Sequence, residues 1–165
     1  VMSEKTMNSE TTSRSLFEEA SEAWERGEVA IAQRLFQQGA KDGDESCQLN
    51  LGYFFDEGVS GEKNKKKAVY WYRKAYQAGC SSAASNIGTV YRDAKEYKRA
   101  LWWFRRGLAM GDCDALLEIG KLYEKGLGTK KNPEKARSYY TKILAVEEGL
   151  VTEDTKEQAA KRLKT

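Results

Sequence analysis

Two short motifs alternate along this 165-residue chain. The first places a glycine after an aliphatic residue and an aromatic residue three positions later. It occurs in NLGYFFDEG (50–58), NIGTVYRDA (86–94) and EIGKLYEKG (118–126). The second starts at an alanine, which is followed by aromatic residues three and four positions later. It occurs in KAVYWYRKAYQAG (67–79), RALWWFRRGLAMG (99–111) and KARSYYTKILAVE (135–147). A two-part pattern that recurs in this way predicts a repeat architecture.

A weaker copy of the pattern precedes these three. In EASEAWERG (19–27), Ser21 takes the glycine position and Trp24 the aromatic position. In AIAQRLFQQGAKDG (30–43), Ala32 is the first anchor of the second motif. The anchor alanines 32, 68, 100 and 136 are 36, 32 and 36 residues apart. The chain is therefore predicted to contain about four units.

Both motifs have helical periodicity, because their small and apolar anchors recur at intervals of three and four residues. Each unit is predicted to be two helices, A and then B. The small residues let the helices approach to the usual separation of roughly 8–10 Å. The aromatic residues are expected to fill the space between one pair and the next, so that stacking supplies the core. These observations predict an all-α fold.

Residues at the predicted helix ends agree with this division. SLFE, beginning at Ser15, is typical of a capping box. Asn64 and Asn132 precede B helices, and Asn132 is followed by Pro133, which suits a first helical position. Three glycines are expected to end B helices in a left-handed conformation: Gly43, Gly79 and Gly111.

The loops between the two motifs have two lengths. From the glycine position to the alanine position there are 11, 16, 12 and 16 residues, and the long loops carry glycines and lysines. The segments LGYFFDEGVSGEKNKKKAVYWYRKAYQAG and IGKLYEKGLGTKKNPEKARSYY resemble Sel-1-like repeats, which are relatives of tetratricopeptide repeats. The resemblance implies a right-handed α/α superhelical solenoid of about four helix pairs, closed by a C-terminal capping helix.

The expected organisation is one repeat domain over residues 15–165, preceded by a disordered tail over residues 1–14. Its units are approximately 15–43, 45–79, 81–111 and 113–149. The segment 152–164 is mostly polar and is predicted to be the capping helix, with Ala159, Ala160 and Leu163 on one side.

The composition argues against catalysis and metal binding. The chain has no histidine, no C-x-x-C motif and no serine in a G-x-S-x-G motif. Its three cysteines, Cys47, Cys80 and Cys113, are expected to be reduced thiols. We therefore expect no enzymatic activity, no cofactor and no metal site. No apolar run approaches the roughly 20 residues needed to cross a bilayer, and a cytoplasmic location is expected, or a periplasmic one if a signal was removed.

Charge is distributed unevenly along the chain. The balance is −7 over residues 1–60 and +10 over residues 61–165. The stretch 51–79 combines seven aromatic rings, interpreted as core anchors, with the lysine-rich run KNKKK (63–67) before a B helix. A solvated loop is the favoured interpretation of the lysines, and contact with a phosphate or an acidic partner is the alternative.

The resemblance also implies where a partner binds. In this family the A helices line a concave groove, which the residues one and four positions after each glycine position should face. Those residues are Glu22, Glu25, Tyr53, Asp56, Thr89, Arg92, Lys121 and Glu124. Tyr53 stands out because repeat packing requires no aromatic residue there; contact with the neighbouring unit is the alternative. Proteins of this family are often bacterial and look like adaptors or cognate partners of secreted effectors and toxins. The resemblance therefore implies a bacterial adaptor, or more specifically an immunity protein that neutralises a cognate toxin or effector.

Two other functions stay open at this stage. A self-assembling unit could stack its acidic N-terminal end on the basic C-terminal end of a second copy. RNA binding would depend on the basic C-terminal half alone, so nucleic acid is not the expected partner. We expect a monomer or weak oligomer that binds a protein and not a membrane.

Overall fold

The computed structural model of the protein describes residues 15–61 and 63–164, and this part of the chain forms nine α-helices. The disordered tail predicted for residues 1–14 lies outside the described residues. The helices are α1 (Leu16–Glu25), α2 (Val29–Asp42), α3 (Glu45–Glu57), α4 (Lys65–Gln77), α5 (Ser81–Asp93), α6 (Tyr97–Ala109), α7 (Ala115–Lys125), α8 (Pro133–Leu144) and α9 (Glu153–Leu163).

The helices pack in successive pairs, which confirms the predicted all-α solenoid. Helices α1, α3, α5 and α7 are the A helices, and α2, α4, α6 and α8 are the B helices that pack on them. We number the pairs unit 1 to unit 4. Each B helix also packs on the next A helix, and α9 packs on α8 as a capping helix. Ala159 of α9 is buried, while Ala160 and Leu163 are half-buried.

The predicted helix ends are confirmed. The Ser15 side chain accepts a hydrogen bond from the Glu18 backbone, and the Glu18 carboxylate accepts one from the Ser15 backbone. Asn64 and Asn132 cap α4 and α8 through their side-chain oxygens. Gly43, Gly79 and Gly111 have φ values of +98°, +106° and +99°, in the left-handed region that favours glycine.

The glycine of each A helix makes room for one aromatic ring. A Cβ atom built on Gly52 would lie 2.5 Å from Tyr72, and one on Gly88 would lie 2.8 Å from Phe104. Gly120 meets Tyr140 in the same way. These rings follow the anchor alanine by four positions and pack inside their own unit. They also take part in packing between units, because Tyr72 belongs to the same buried cluster as Ile87 of unit 3, and Phe104 to the same cluster as Leu116 of unit 4.

Among the rings that follow the alanine by three positions, one is seen to reach a neighbouring unit. Trp71 of α4 packs against a buried cluster whose members come from units 1 and 2. Trp103 of α6 makes an edge-to-face contact with Tyr76 of α4, with ring centroids 5.3 Å apart. The aromatic residue four positions after the alanine thus packs on the glycine of its own helix pair. In unit 3, the residue three positions after the alanine, Trp103, also contacts the preceding pair.

Unit 1 departs from this scheme at the glycine position. Ser21 fills it, and its hydroxyl donates to the Phe17 carbonyl at 2.8 Å. The buried ring of this unit, Phe36, lies among Phe17, Trp24 and Phe54. Aromatic contacts with edge-to-face geometry therefore stabilise the N-terminal end of the solenoid.

The remaining sequence expectations concern the thiols and the membrane. All three cysteines are free, and burial raises the pKa of Cys47 to about 12, with Asp44 adding to the effect. In the described part of the chain, no helix is long and apolar enough to span a bilayer, and no cluster of side chains could hold a metal ion.

Candidate protein-binding faces

The two layers of helices carry opposite charge. The four A helices contain ten acidic and three basic residues, whereas the four B helices contain fourteen basic and two acidic residues. The lengthwise asymmetry noted in the sequence is therefore also a difference between layers. We call the exposed surface of α1, α3, α5 and α7 the A face, and that of α2, α4, α6 and α8 the B face.

At the N-terminal end of the A face, an exposed aromatic side chain stands among carboxylates. Tyr53 is 40% exposed, and its ring centroid lies 5.6 Å from that of Trp24 in the neighbouring unit. The contact with the neighbouring unit is therefore present, and the ring still faces solvent, so a partner contact at Tyr53 stays a prediction. Glu25 is exposed, and Glu22 is half-buried with its carboxylate 3.8 Å from the Arg26 guanidinium. These side chains form a surface with an aromatic centre and negative charge.

Asp56, expected in the groove, is only 7% exposed. Its carboxylate accepts a hydrogen bond from the Lys65 ammonium group at 2.5 Å. Burial raises the pKa of Tyr72, and the nearby Asp56 carboxylate raises that pKa further. Asp56 therefore interacts with the B helix of its own unit, and a role as a groove contact does not fit its position.

Glu124 occupies the equivalent position in unit 4 and behaves similarly. The Tyr140 hydroxyl donates to its carboxylate at 3.2 Å, and Arg162 of α9 pairs with the same oxygen. Burial raises the pKa of Tyr140, and the charge of Glu124 contributes in the same direction. The capping helix thus supplies the cation that Lys65 supplies in unit 2.

Arg92 and Lys121 meet at a third carboxylate that sequence reasoning missed. The Glu118 carboxylate accepts from Arg92 at 2.6 Å and from Lys121 at 2.8 Å, which joins α5 to α7. Burial would raise the pKa of Glu118, but hydrogen bonds from Lys121 and Arg92 outweigh burial and lower it. Thr89 lies half-buried on α5. Of these expected contacts, Arg92 is a side chain that also joins two successive A helices, while Lys121 pairs within α7.

Sequence reasoning also missed two exposed aromatic residues on the B face. Tyr70 is 54% exposed and Trp102 is 49% exposed, and each follows its anchor alanine by two positions. Interpreting the rings of residues 51–79 as core anchors is therefore wrong for Tyr70. The signal was available in YWY (70–72) and WWF (102–104), because three consecutive residues cannot share one face of a helix. In addition, Lys65, Lys66 and Lys67 form the first turn of α4 and not a loop.

Comparison with known proteins identifies the repeats. The Sel1 repeat profile matches residues 46–80, 83–112 and 113–145, which are three consecutive segments covering more than half of the chain. A Sel1-like repeat-containing protein of Acanthamoeba polyphaga mimivirus is 35% identical over 63 residues, which is 38% of this chain and 12% of that protein. The first helix pair, α1 and α2, lies outside the matched segments.

Solved structures show the same architecture. The crystal structure of a Sel1 repeat protein from Oxalobacter formigenes superposes with a TM-score of 0.67 and 31% identity, covering 79% of this chain and 57% of that one. The crystal structure of MamA superposes with a TM-score of 0.59 at 18% identity, covering 88% of this chain and 90% of MamA. The chain spans about an eighth of the viral relative's length and somewhat over half of the Oxalobacter chain.

Proposed function

Because the chain belongs to the Sel1 repeat family, whose fold generally serves as a protein–protein interaction module, we propose that it is a non-enzymatic adaptor that binds a protein partner on its A face. Repeats of this family are generally scaffolds without catalytic activity, and the proposal assigns no reaction to this chain.

The observation that carries the proposal is the surface around Tyr53. Aromatic side chains that are rigid and half exposed are favoured anchors at protein interfaces. Tyr53 is held by Trp24, so little side-chain entropy is lost when a partner covers it. Glu22 and Glu25 add negative charge beside it. The partner that fits this chemistry is a segment with basic side chains around an apolar one.

The rest of the A face extends the proposed surface toward the C-terminal end. Thr89, Arg92, Lys121 and Glu124 are proposed as flanking positions, with mixed charge that would favour polar contacts. Asp56 is left out of the contact set, because its carboxylate is buried beside Lys65 and Tyr72. A basic partner would therefore bind mainly at α1 and α3.

Site-specific photocross-linking tests the proposal in cells that contain the partner. A photoreactive phenylalanine replaces Tyr53 in one variant and Gln37, an exposed residue of α2, in the matched control. We expect one discrete cross-linked product from position 53 only, lost when Glu22→Lys and Glu25→Lys are added. The same product from position 37, or a product insensitive to the charge reversal, would contradict binding on the A face.

An immunity role is a narrower form of the same proposal. It requires a tight one-to-one complex in which the cognate toxin or effector is inactive. Mixing the captured partner with this chain at equal concentration and assaying its toxicity distinguishes the two roles. Full toxicity in a stable complex would leave the adaptor function and remove the immunity function.

A further inference from the structure

The B face carries a groove between α4 and α6 that the proposed function does not use. These two helices contain nine lysine and arginine residues and no acidic residue. Two contiguous depressions of about 490 and 570 Å³ lie between them and share Arg73, Tyr91 and Arg99 as lining residues. A partner at this groove would meet a strongly positive surface.

The aromatic residues of the groove are held in place by their neighbours. Tyr70 packs edge-to-face on Trp71, and Trp102 packs edge-to-face on Trp103, with centroid distances of 5.1 and 4.8 Å. Tyr91 and Trp103 line the groove between the helices. Exposed rings that are already packed lose little conformational freedom on binding, which suits them as anchors for apolar side chains.

The guanidinium groups are also positioned. Arg73 lies over the Trp103 ring at 5.6 Å, and Arg106 lies over the Trp102 ring at 4.1 Å. The Arg106 guanidinium also donates to the Tyr76 hydroxyl at 2.7 Å. Over residues 15–61 and 63–164, no carboxylate forms an ion pair with Arg73 or Arg106. Fixed guanidinium groups without an acidic partner are suited to bind carboxylates.

The only acidic residue among those lining the two depressions is Glu96, and its carboxylate is already bound by Arg99 at 2.6 Å. The depressions extend from Lys65 at the start of α4 to Gln77 at its end. A helix of this length spans roughly 18 Å, which accommodates about five or six residues of an extended peptide.

We propose that the α4–α6 groove binds an extended acidic segment of a protein partner. Its carboxylates would bind Arg73, which lines both depressions, and Arg106, which lies over Trp102 at the groove edge, and its apolar side chains would pack beside Tyr70 in one depression and Trp102 in the other. Nucleic acid fits less well, because the Arg106 guanidinium covers a face of the Trp102 ring on which a base would stack. The A face and this groove have opposite charge, so the chain can hold a basic partner and an acidic one together.

The test uses fluorescence anisotropy with a labelled hexapeptide of sequence Glu-Glu-Leu-Glu-Glu-Leu at low salt. We expect saturable binding to the full chain that weakens as salt is added. The double variant Arg73→Glu, Trp102→Ala should weaken binding about tenfold or more, because it removes an anchor ring and reverses a charge. The matched control is Arg34→Glu on α2, an identical charge reversal elsewhere on the B face, which should change affinity by about twofold at most.

A second variant keeps the proposal falsifiable if the double variant does not fold. Tyr70→Ala removes a side chain that is mostly in solvent, so its circular dichroism should match that of the unaltered chain while its affinity for the hexapeptide falls, and an unchanged affinity would count against the proposal. Equal weakening by Arg34→Glu, or no binding at low salt, would overturn the proposal. Two other results would also overturn it: tighter binding of a uridine hexamer at the same groove, or a dimer in sedimentation that Arg73→Glu dissociates.

Discussion

Units 2 and 4 differ from unit 3 at the same two positions. In units 2 and 4, the ring that packs on the glycine is a tyrosine, and a carboxylate lies four residues after the glycine, giving Tyr72 with Asp56 and Tyr140 with Glu124. In unit 3 the ring is Phe104, which has no hydroxyl, and the position four residues after Gly88 is Arg92.

The difference indicates that the ring on the B helix restricts which residue can stand four positions after the glycine on the A helix. A tyrosine hydroxyl in a partly buried place favours an acceptor, and the carboxylate then needs a cation, which is Lys65 in unit 2 and Arg162 in unit 4. Without the hydroxyl, the position can carry Arg92, which binds Glu118 of the next unit. Residues that seemed to be partner contacts are therefore largely determined by internal packing.

The largest expected effect tests what all three units share. Gly120→Ala would place a methyl group against the Tyr140 ring, and Gly88→Ala would meet Phe104. Each should reduce the free energy of unfolding by about 2–3 kcal/mol, because the ring must move in a packed interior. Urea denaturation measures this. Ser21→Ala in unit 1 is the control and should cost under about 1 kcal/mol, since that position already holds a side chain. Equal losses at all three sites would contradict the steric argument.

The next prediction compares the buried carboxylate of unit 2, Asp56, with an exposed carboxylate, Glu25. Asp56→Ala leaves Lys65 and the Tyr72 hydroxyl without their acceptor, and should cost about 2 kcal/mol in urea denaturation. Glu25→Ala, an exposed control, should change the free energy of unfolding by less than about 0.5 kcal/mol. Adding Tyr72→Phe to Asp56→Ala should recover about 1 kcal/mol relative to additivity, and strict additivity would remove the pairing from the explanation.

A third prediction concerns stability at alkaline pH, which should depend on the buried tyrosines of units 2 and 4, Tyr72 and Tyr140. Burial and then Asp56 raise the pKa of Tyr72 above its ordinary value of 10.0. The neutral phenol therefore contributes stability that is complete below pH 10 and is lost as the pH rises beyond it. Tyr72→Phe should cost about 1 kcal/mol at pH 7 and should make stability fall less steeply above pH 10. An unchanged slope in urea denaturation between pH 9 and 11 would contradict this.

The last prediction, of similar size, concerns the junction between units 3 and 4. Burial opposes ionisation of Glu118, but Lys121 and Arg92 lower its pKa below the ordinary value of 4.5. The ionised carboxylate thus contributes stability above that pH, and the contribution is lost as the pH falls further. Glu118→Gln should lower the free energy of unfolding by about 1 kcal/mol at pH 7. It should also make the melting temperature fall less steeply as the pH is lowered below about 4.5, which thermal melts at several acid pH values measure. If the melting temperature of the variant fell with acid pH as steeply as that of the unaltered chain, Glu118, Arg92 and Lys121 would not interact in solution.

The sequence predicted the scaffold because its anchors are local and periodic. Glycine, alanine and aromatic positions at helical spacing specify which sides of the helices meet, and Ser15, Asn64 and Asn132 mark where helices begin. The division into A and B helices followed from these patterns, whereas the capping helix was predicted from the mostly polar segment 152–164 with Ala159, Ala160 and Leu163 on one side. Nothing in this inference required knowledge of contacts distant in sequence.

The candidate site was less predictable, because helical spacing gives the face on which a side chain lies but not the side chains with which it pairs. Counting one and four residues from the glycine places Asp56, Arg92 and Glu124 on the A face but gives no sign that each is paired. The partner of Glu124 lies 38 residues away on α9, and that of Arg92 lies 26 residues away on α7. The groove on the B face was missed because Tyr70 and Trp102 were treated with the core rings beside them.

The ion pair between Glu124 and Arg162 of the capping helix affects how the repeat array can lengthen. Unit 2 contains its own Lys65, so a duplicated copy would arrive with its carboxylate already neutralised. Unit 4 has Pro133 at that position and receives Arg162 from α9. A new unit inserted between α8 and α9 would separate Glu124 from Arg162 and leave the Glu124 carboxylate without that cation. Growth of the array by gene duplication is therefore tolerated in the interior and disfavoured at this C-terminal junction, where the last unit and its cap must be inherited together.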